Sequence, residues 1–162
     1  MADWFLSLKP VDPVEMIGLW KGTGFPSGHP LDGVLENLRW FGKRFHPDMR
    51  ADALLFQWHP ERLVAIDPRF VPLGLAIRLA PFGRTAFARG LFSHLQKAFR
   101  ARGTTAALEI RTVGQTSSAA MVYDEQPIID HFRLVNAETL AGMMCVRDDE
   151  RRLFLKLTKI DA

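Results

Sequence analysis

From residue 104 onward the chain repeats with a period of two. Thr104, Ala106, Leu108, Ile110 and Thr112 fall on one side of an extended backbone, and Thr105, Ala107, Glu109 and Arg111 on the other. Such alternation marks strands with one buried face. Further runs follow at 117–123, 128–135, 139–146 and 153–159. Turn chemistry separates them at Gly114-Gln115, Glu125-Gln126, Asn136-Ala137 and Arg147 to Glu150. Five successive strands with short connections predict an antiparallel meander.

The N-terminal part mixes two periods. Asp12 before Pro13 predicts a short helix over 11–17, with Asp12 as its cap. Residues 19–25 read as a strand, and Ser27-Gly28-His29-Pro30 as a turn. Leu31, Val34, Leu35, Leu38 and Phe41 recur at helical spacing, which predicts a helix across one mouth of the sheet structure. Residues 53–58 and 62–66 read as strands joined at His59-Pro60-Glu61. Pro68, Pro72, Pro81 and two glycines break residues 68–83 into loop or irregular edge. Residues 85–100 predict a helix with Thr85 as cap and Gly103 as stop.

The fold expected is mainly β: a small antiparallel barrel with two or three covering helices. A chain of 162 residues is long enough for one domain with its own core. Its parts are 1–67, a basic insert at 68–103 and the C-terminal meander at 104–162.

Charge changes the picture more than composition does. Residues 68–108 hold Arg69, Arg78, Arg84, Arg89, Lys97, Arg100 and Arg102 and no acid, whereas the flanking segments are slightly acidic. A local positive field attracts phosphate, lipid head groups or an acidic partner. In helix 85–100, Phe87, Leu91, Leu95 and Phe99 form an apolar stripe with Phe92 beside it. Arg84, Arg89, Lys97 and Arg100 lie largely elsewhere on the wheel. A helix of this kind can lie in an anionic head-group layer, or dock on the barrel by its apolar face. Its helical spacing turns most of the phenylalanines to one side, and no nucleic-acid motif accompanies them, so no nucleic-acid partner is expected. A single cysteine, Cys145, excludes an intrachain disulfide and fits a reducing compartment. The N-terminus lacks the basic-then-apolar pattern of a secretory leader. A cytoplasmic protein with peripheral contact to the inner membrane face is the expectation; oligomeric state is left open.

Gly18-Leu19-Trp20-Lys21-Gly22 is the first motif of note. Glycine permits close backbone approach, and one indole can plug a barrel end. A second block runs Ala120-Met121-Val122-Tyr123-Asp124-Glu125-Gln126-Pro127-Ile128-Ile129-Asp130-His131-Phe132, followed by Leu140-Ala141-Gly142-Met143-Met144. With these two blocks in this order the chain resembles the uncharacterised bacterial GXWXG family. The resemblance implies a calycin-type barrel, the architecture of lipocalins and fatty-acid-binding proteins. Residues 68–103 look longer and more basic than the family's usual middle.

A barrel of that type implies a hydrophobic ligand, a fatty acid or phospholipid chain. Its expected walls are Trp20, Leu35, Leu38, Trp40, Phe56, Trp58, Leu108, Ile110, Met121, Phe132 and Met143. Asp130 shares parity with Ile128, Phe132 and Leu134, so it is expected to face inward while His131 faces out. An inward carboxylate needs a partner. Arg111 is the expected one, with Tyr123 nearby, and the pair either receives a ligand head or closes the barrel. No Gly-X-Ser-X-Gly elbow, Walker loop, His-Glu-X-X-His or dinucleotide fingerprint occurs. An enzyme reading rests only on Asp130 or His131 as acid or base. His29-Pro30, His46-Pro47 and His59-Pro60 read as unrelated turns, and no metal is expected. Some calycin-like barrels with a similar opening bind haem; there the axial candidate would be His131, with His46 and His59 behind it.

Overall fold

Period-two segments pair with their neighbours along the chain and close on themselves. The computed structural model describes residues 1–161. The strands are β1 (Gly18–Gly24), β2 (Trp40–Phe45), β3 (Arg50–His59), β4 (Arg62–Ala65), β5 (Ala106–Val113), β6 (Thr116–Tyr123), β7 (Ile128–Asn136), β8 (Thr139–Val146) and β9 (Asp149–Ile160). The sheet order is β2-β1-β9-β8-β7-β6-β5-β3-β4, and an additional β2–β3 pairing joins its ends. All strands but β4 therefore form a closed antiparallel barrel, which removes the open edge that a sheet would otherwise expose. β4 extends β3 as a hairpin outside the ring.

The meander after residue 104 lies where the alternation puts it. The N-terminal part differs in one respect that matters. The helical run after Leu31 yields only a short helix, α2 (Val34–Asn37), before Arg39 takes a φ of 65°. That left-handed residue ends the helix and lets Trp40 begin β2, a strand the helical spacing had hidden. The helix expected at 11–17 is a 3₁₀ turn over Pro13–Met16, capped by Asp12 accepting from Val14 N at 2.9 Å. Residues 68–83 are not loop but two short helices, α3 (Leu73–Arg78) and α4 (Ala80–Gly83), after a 3₁₀ turn at Pro68–Phe70. The next helix, α5 (Ala86–Leu95), starts where Thr85 Oγ1 accepts from Ala88 N at 3.2 Å.

The motif glycines make room for indoles. Trp20 is buried, and its Nε1 donates to Met16 O at 2.7 Å, tying β1 to the segment that plugs that end. A Cβ on Gly22 would lie 2.2 Å from the Trp40 ring. Gly42 carries a φ of +153°, and a Cβ there would lie 1.9 Å from Trp20 O. So Gly22 seats one indole, and Gly42 lets β2 cross the backbone beside the other.

Large side chains fill the interior. Trp20, Phe45, Phe56, Met121 and Phe132 are all nearly inaccessible, and Phe45 meets Phe132 edge-on at 5.6 Å. The helix α1 (Ala2–Ser7) lies outside the wall, where Phe5 packs with Ala141, Met143 and Phe154 in a second cluster. The opposite mouth is roofed by residues 31–38 and the 68–99 helices. Phe92 stacks edge-on against Phe56 at 4.8 Å. Asn37 Nδ2 donates to Gly83 O at 2.7 Å and Thr85 O at 2.9 Å, and Arg89 Nε donates to Asn37 O at 2.9 Å. Arg84 donates to Asp32 O at 2.8 Å and also to Pro30 O. None of the described helices is long and apolar enough to cross a membrane.

Candidate functional site

Along β2, Lys43 stands three positions inside Trp40 and turns into the barrel. Its side chain is 2% exposed, and Asp130 opposite it is 1% exposed. The ammonium lies 2.9 Å from Asp130 Oδ2 and donates to Ala53 O at 3.0 Å and Tyr123 OH at 3.4 Å. These three acceptors match the three donors of an ammonium. Tyr123 OH also donates to Asp130 Oδ2 at 3.4 Å. Burial, with the Asp130 charge and hydrogen bond adding, holds the Tyr123 phenol well above its ordinary range. It therefore stays protonated and serves as a donor. Five buried side-chain atoms have no hydrogen-bond partner among the described residues: Asp130 Oδ1, Trp40 Nε1, Gln96 Oε1, and Nε and Nη1 of Arg133.

Trp40 lies between this cluster and open space, and Lys43, Tyr123 and Asp130 do not line that space. A cleft of about 320 Å³ lies at the barrel rim under the 31–36 loop. It is lined by Trp40, Leu153 and Leu155 of the inner wall and by Leu31 and Leu35 of the roof, with Phe25 and Phe154 at its edge. Glu36 Oε1 accepts from Gly24 N at 2.6 Å and ties the roof to β1. Lys43 Nζ sits 5.7 Å from the centre of the Trp40 ring.

Asp130 faces inward and its neighbour His131 outward, as strand parity requires, but its partner is Lys43 and not Arg111. Arg111 shares the parity of Glu109, and the two pair outside the barrel at 3.2 Å. Arg111 therefore cannot receive a ligand head in the interior. Met143 is also displaced from its expected place: it lies in the outer cluster beneath α1. Trp58 stands outside the core cluster, with Lys97 Nζ 4.6 Å from its ring centre and Arg62 on the ring at 5.6 Å. Ile110 is 58% exposed and walls nothing in. Trp20, Trp40, Phe56, Met121, Tyr123 and Phe132 do line the interior, and Leu38 packs against them.

The basic helix is divided between two roles. Phe92 and Phe99 pack inward against the core, and Phe99 stacks with Phe70 at 5.7 Å, so neither faces outward as the amphipathic reading has it. Arg84 and Arg89 hold the roof together rather than standing free. Phe87 is 71% exposed, and Leu91, Lys97 and Arg100 are also at the surface.

The chain matches two described families over most of its length. Residues 3–59 match "GXWXG protein", and residues 104–159 match "Domain of unknown function (DUF4334)". The chain belongs to the GXWXG family. A crystal structure of a protein from Thermomonospora curvata is 28% identical, with a TM-score of 0.70 over 99% of this chain and 85% of that one. A search of curated proteins found no match. The GXWXG segment thus supplies Trp40 and Lys43, and the C-terminal segment supplies Tyr123 and Asp130. The buried ion pair joins the two matched parts across the barrel.

Within this GXWXG protein the histidines do not converge. His131 lies on the outer wall, His46 Nε2 is 3.0 Å from Asp52 Oδ2, and His59 lies against Trp58 at 4.7 Å. This donor set does not fit haem held inside the barrel. Burial holds the His131 imidazole below its ordinary range; Arg133, Arg152 and Arg111 add to this, and Asp130 opposes it. Burial likewise lowers His29. An unfolded histidine binds its proton at about pH 6.5, above the folded value. The unfolded state therefore takes up more protons as pH falls through 6.5, and stability is lost. The thermal midpoint should fall between about pH 7.5 and about pH 5.5, and His131→Gln should flatten that slope. Equal slopes in both proteins would contradict the assignment to His131.

Proposed function

We propose that this GXWXG barrel binds and carries a hydrophobic ligand whose alkyl or acyl chain seats in the rim cleft. One observation carries the reading: an apolar cleft of about 320 Å³ reaches the inner wall at Trp40, Leu153 and Leu155. Ligand pockets span roughly 300–1,000 Å³, so the volume suits a small or medium ligand. Aromatic and aliphatic side chains pack the barrel axis, so the ligand lies beneath the roof and not along the whole length.

The roof suits pick-up from a lipid surface. Phe70, Leu75, Leu79, Phe82, Phe87 and Leu91 are exposed in one segment, which also carries exposed Arg78, Arg100 and Arg102. Apolar side chains flanked by cations favour an anionic interface. Membrane contact and ligand entry would then occur at the same mouth.

A fluorescent medium-chain probe should bind at about one per protein, and Leu35→Arg should weaken it at least about tenfold, near 1.4 kcal/mol. Unchanged affinity in that variant would remove the cleft from the account. Phosphatidylglycerol vesicles should co-sediment the protein, and Phe87→Ser with Leu91→Ser should reduce this. Equal sedimentation of the variant, or equal binding to phosphatidylcholine vesicles, would argue against the roof as the membrane face.

A further inference from the structure

Residues 60–103 lie between the two matched segments, yet they hold the roof of the rim cleft. The cleft's roof residues fall between Leu31 and Glu36. Two arginines of the intervening chain grip that run at its two ends. Arg84 Nε donates to Asp32 O at 2.8 Å, and its Nη2 donates to Pro30 O. Arg89 Nε donates to Asn37 O at 2.9 Å, and its Nη2 donates to Asn37 Oδ1 at 2.7 Å. Asn37 Nδ2 returns two bonds, to Gly83 O at 2.7 Å and Thr85 O at 2.9 Å. Gly28 and Gly33, at φ 79° and 80° with open space where a Cβ would stand, give the run two points about which to turn.

Both grips use the Nε and Nη2 edge of the guanidinium, and every acceptor is a neutral oxygen. Both arginines are exposed, and neither pairs with a carboxylate among the described residues. Two parallel N–H groups are also what a phosphate takes in a bidentate bond, and a charged acceptor bonds about twice as strongly as a neutral one. With the roof closed, an anion reaches only the far side of each guanidinium. Release of the roof adds the Nε edge, so the anion binds the open state better and shifts the population toward it. Resting on the proposed carriage of a hydrophobic ligand in the rim cleft, we infer that Arg84 and Arg89 form an anion-released clamp on that cleft. Phosphate oxyanions of lipid head groups draw the two guanidiniums away and free residues 30–37 to admit or discharge the ligand. Phe82 and Phe87, 42% and 71% exposed, flank the two arginines in sequence and place a lipid surface, not phosphate in solution, as the source.

Stopped-flow uptake of the fluorescent medium-chain probe by the whole chain tests the clamp, read by energy transfer from the tryptophans so that probe in vesicles is not counted. Asn37→Ala breaks three of the clamp's bonds and keeps both arginines. In buffer it should take up probe at least about tenfold faster than wild type. Phosphatidylglycerol vesicles should speed the wild type by a similar factor and the variant by much less. If Asn37→Ala does not fold, Arg84→Gln reads the same step, with fast uptake in buffer and little further gain from vesicles. Equal rates in wild type and variant, or equal acceleration of both by vesicles, overturn the clamp and leave the cleft in place. Inorganic phosphate that speeds the wild type as much as vesicles do, against chloride at equal ionic strength, overturns the lipid surface as the source. Failure of every protein to take up probe overturns the inference together with the reading beneath it.

Discussion

Lys43→Met should destabilise the protein by about 3–5 kcal/mol, the largest effect expected from any single side-chain replacement in the interior. The methionine has nearly the right volume, so the loss does not come from packing. It comes from Asp130, which is left 1% exposed with no ammonium 2.9 Å away. Only Tyr123 OH, at 3.4 Å, would remain to donate to it. The companion variant separates the two causes. Lys43→Met with Asp130→Leu removes both charges, and a buried pair replaced by apolar groups is often neutral in stability. Urea unfolding at neutral pH should therefore place the double variant within about 1–2 kcal/mol of wild type, despite one severe single variant. Additive losses would mean that the pair is not the unit it is taken to be.

The second large effect lies in the glycines. Gly42→Ala places a Cβ 1.9 Å from Trp20 O at a φ of +153°. The obstacle is backbone in a hydrogen-bonded strand pair, so it cannot rotate away. Strain in the left-handed region and overpacking each cost about 1–3 kcal/mol, and together they should cost about 3 kcal/mol or more. Gly22→Ala meets the Trp40 ring instead, at 2.2 Å. That obstacle is a side chain, so the cost should be smaller, about 1–3 kcal/mol. Trp40→Phe should recover part of it, because the shorter ring vacates the space. Chemical denaturation of the two single variants and the Gly22→Ala/Trp40→Phe double variant gives all three numbers. No recovery in the double variant would mean that Gly22 is needed for something other than the Trp40 indole.

These positions also mark how far the sequence could be read. The meander from β5 to β9 was legible because turn residues punctuate its apolar runs, although β6, β7 and β8 are buried over much of both faces. Asp130's inward direction and its need for a partner were legible from its parity with Ile128 and Phe132. The partner was not. Lys43 sits in Phe41-Gly42-Lys43-Arg44-Phe45, just past the run read as a helix from Leu31 to Phe41, and no strand is read there. The β2–β3 register is also irregular between Trp40 and Gly42 and between Gly42 and Arg44, which breaks simple alternation. One signal was available: Lys43 shares parity with Phe45, which is buried. Arg111, by contrast, could have been rejected on parity, since it falls with Glu109 on the outer face. In the roof, Phe92 and Phe99 against Phe87 and Leu91 could not be sorted from the helical wheel. Which flank docks depends on where β3 ends and the 31–38 segment crosses, and neither is a local property of the helix.

The central claim is that an apolar ligand seats against Trp40 at the barrel rim. The chain has four tryptophans, so the indole region of a ¹H–¹⁵N spectrum holds four assignable signals. Titration with 1-octanol should move the Trp40 Nε1 signal progressively to saturation. It should leave Trp20, whose Nε1 is held by Met16 O at 2.7 Å toward the other end, in place. A titration in which Trp40 stays fixed while octanol binds, or in which only Trp4 and Trp58 respond, would contradict the account.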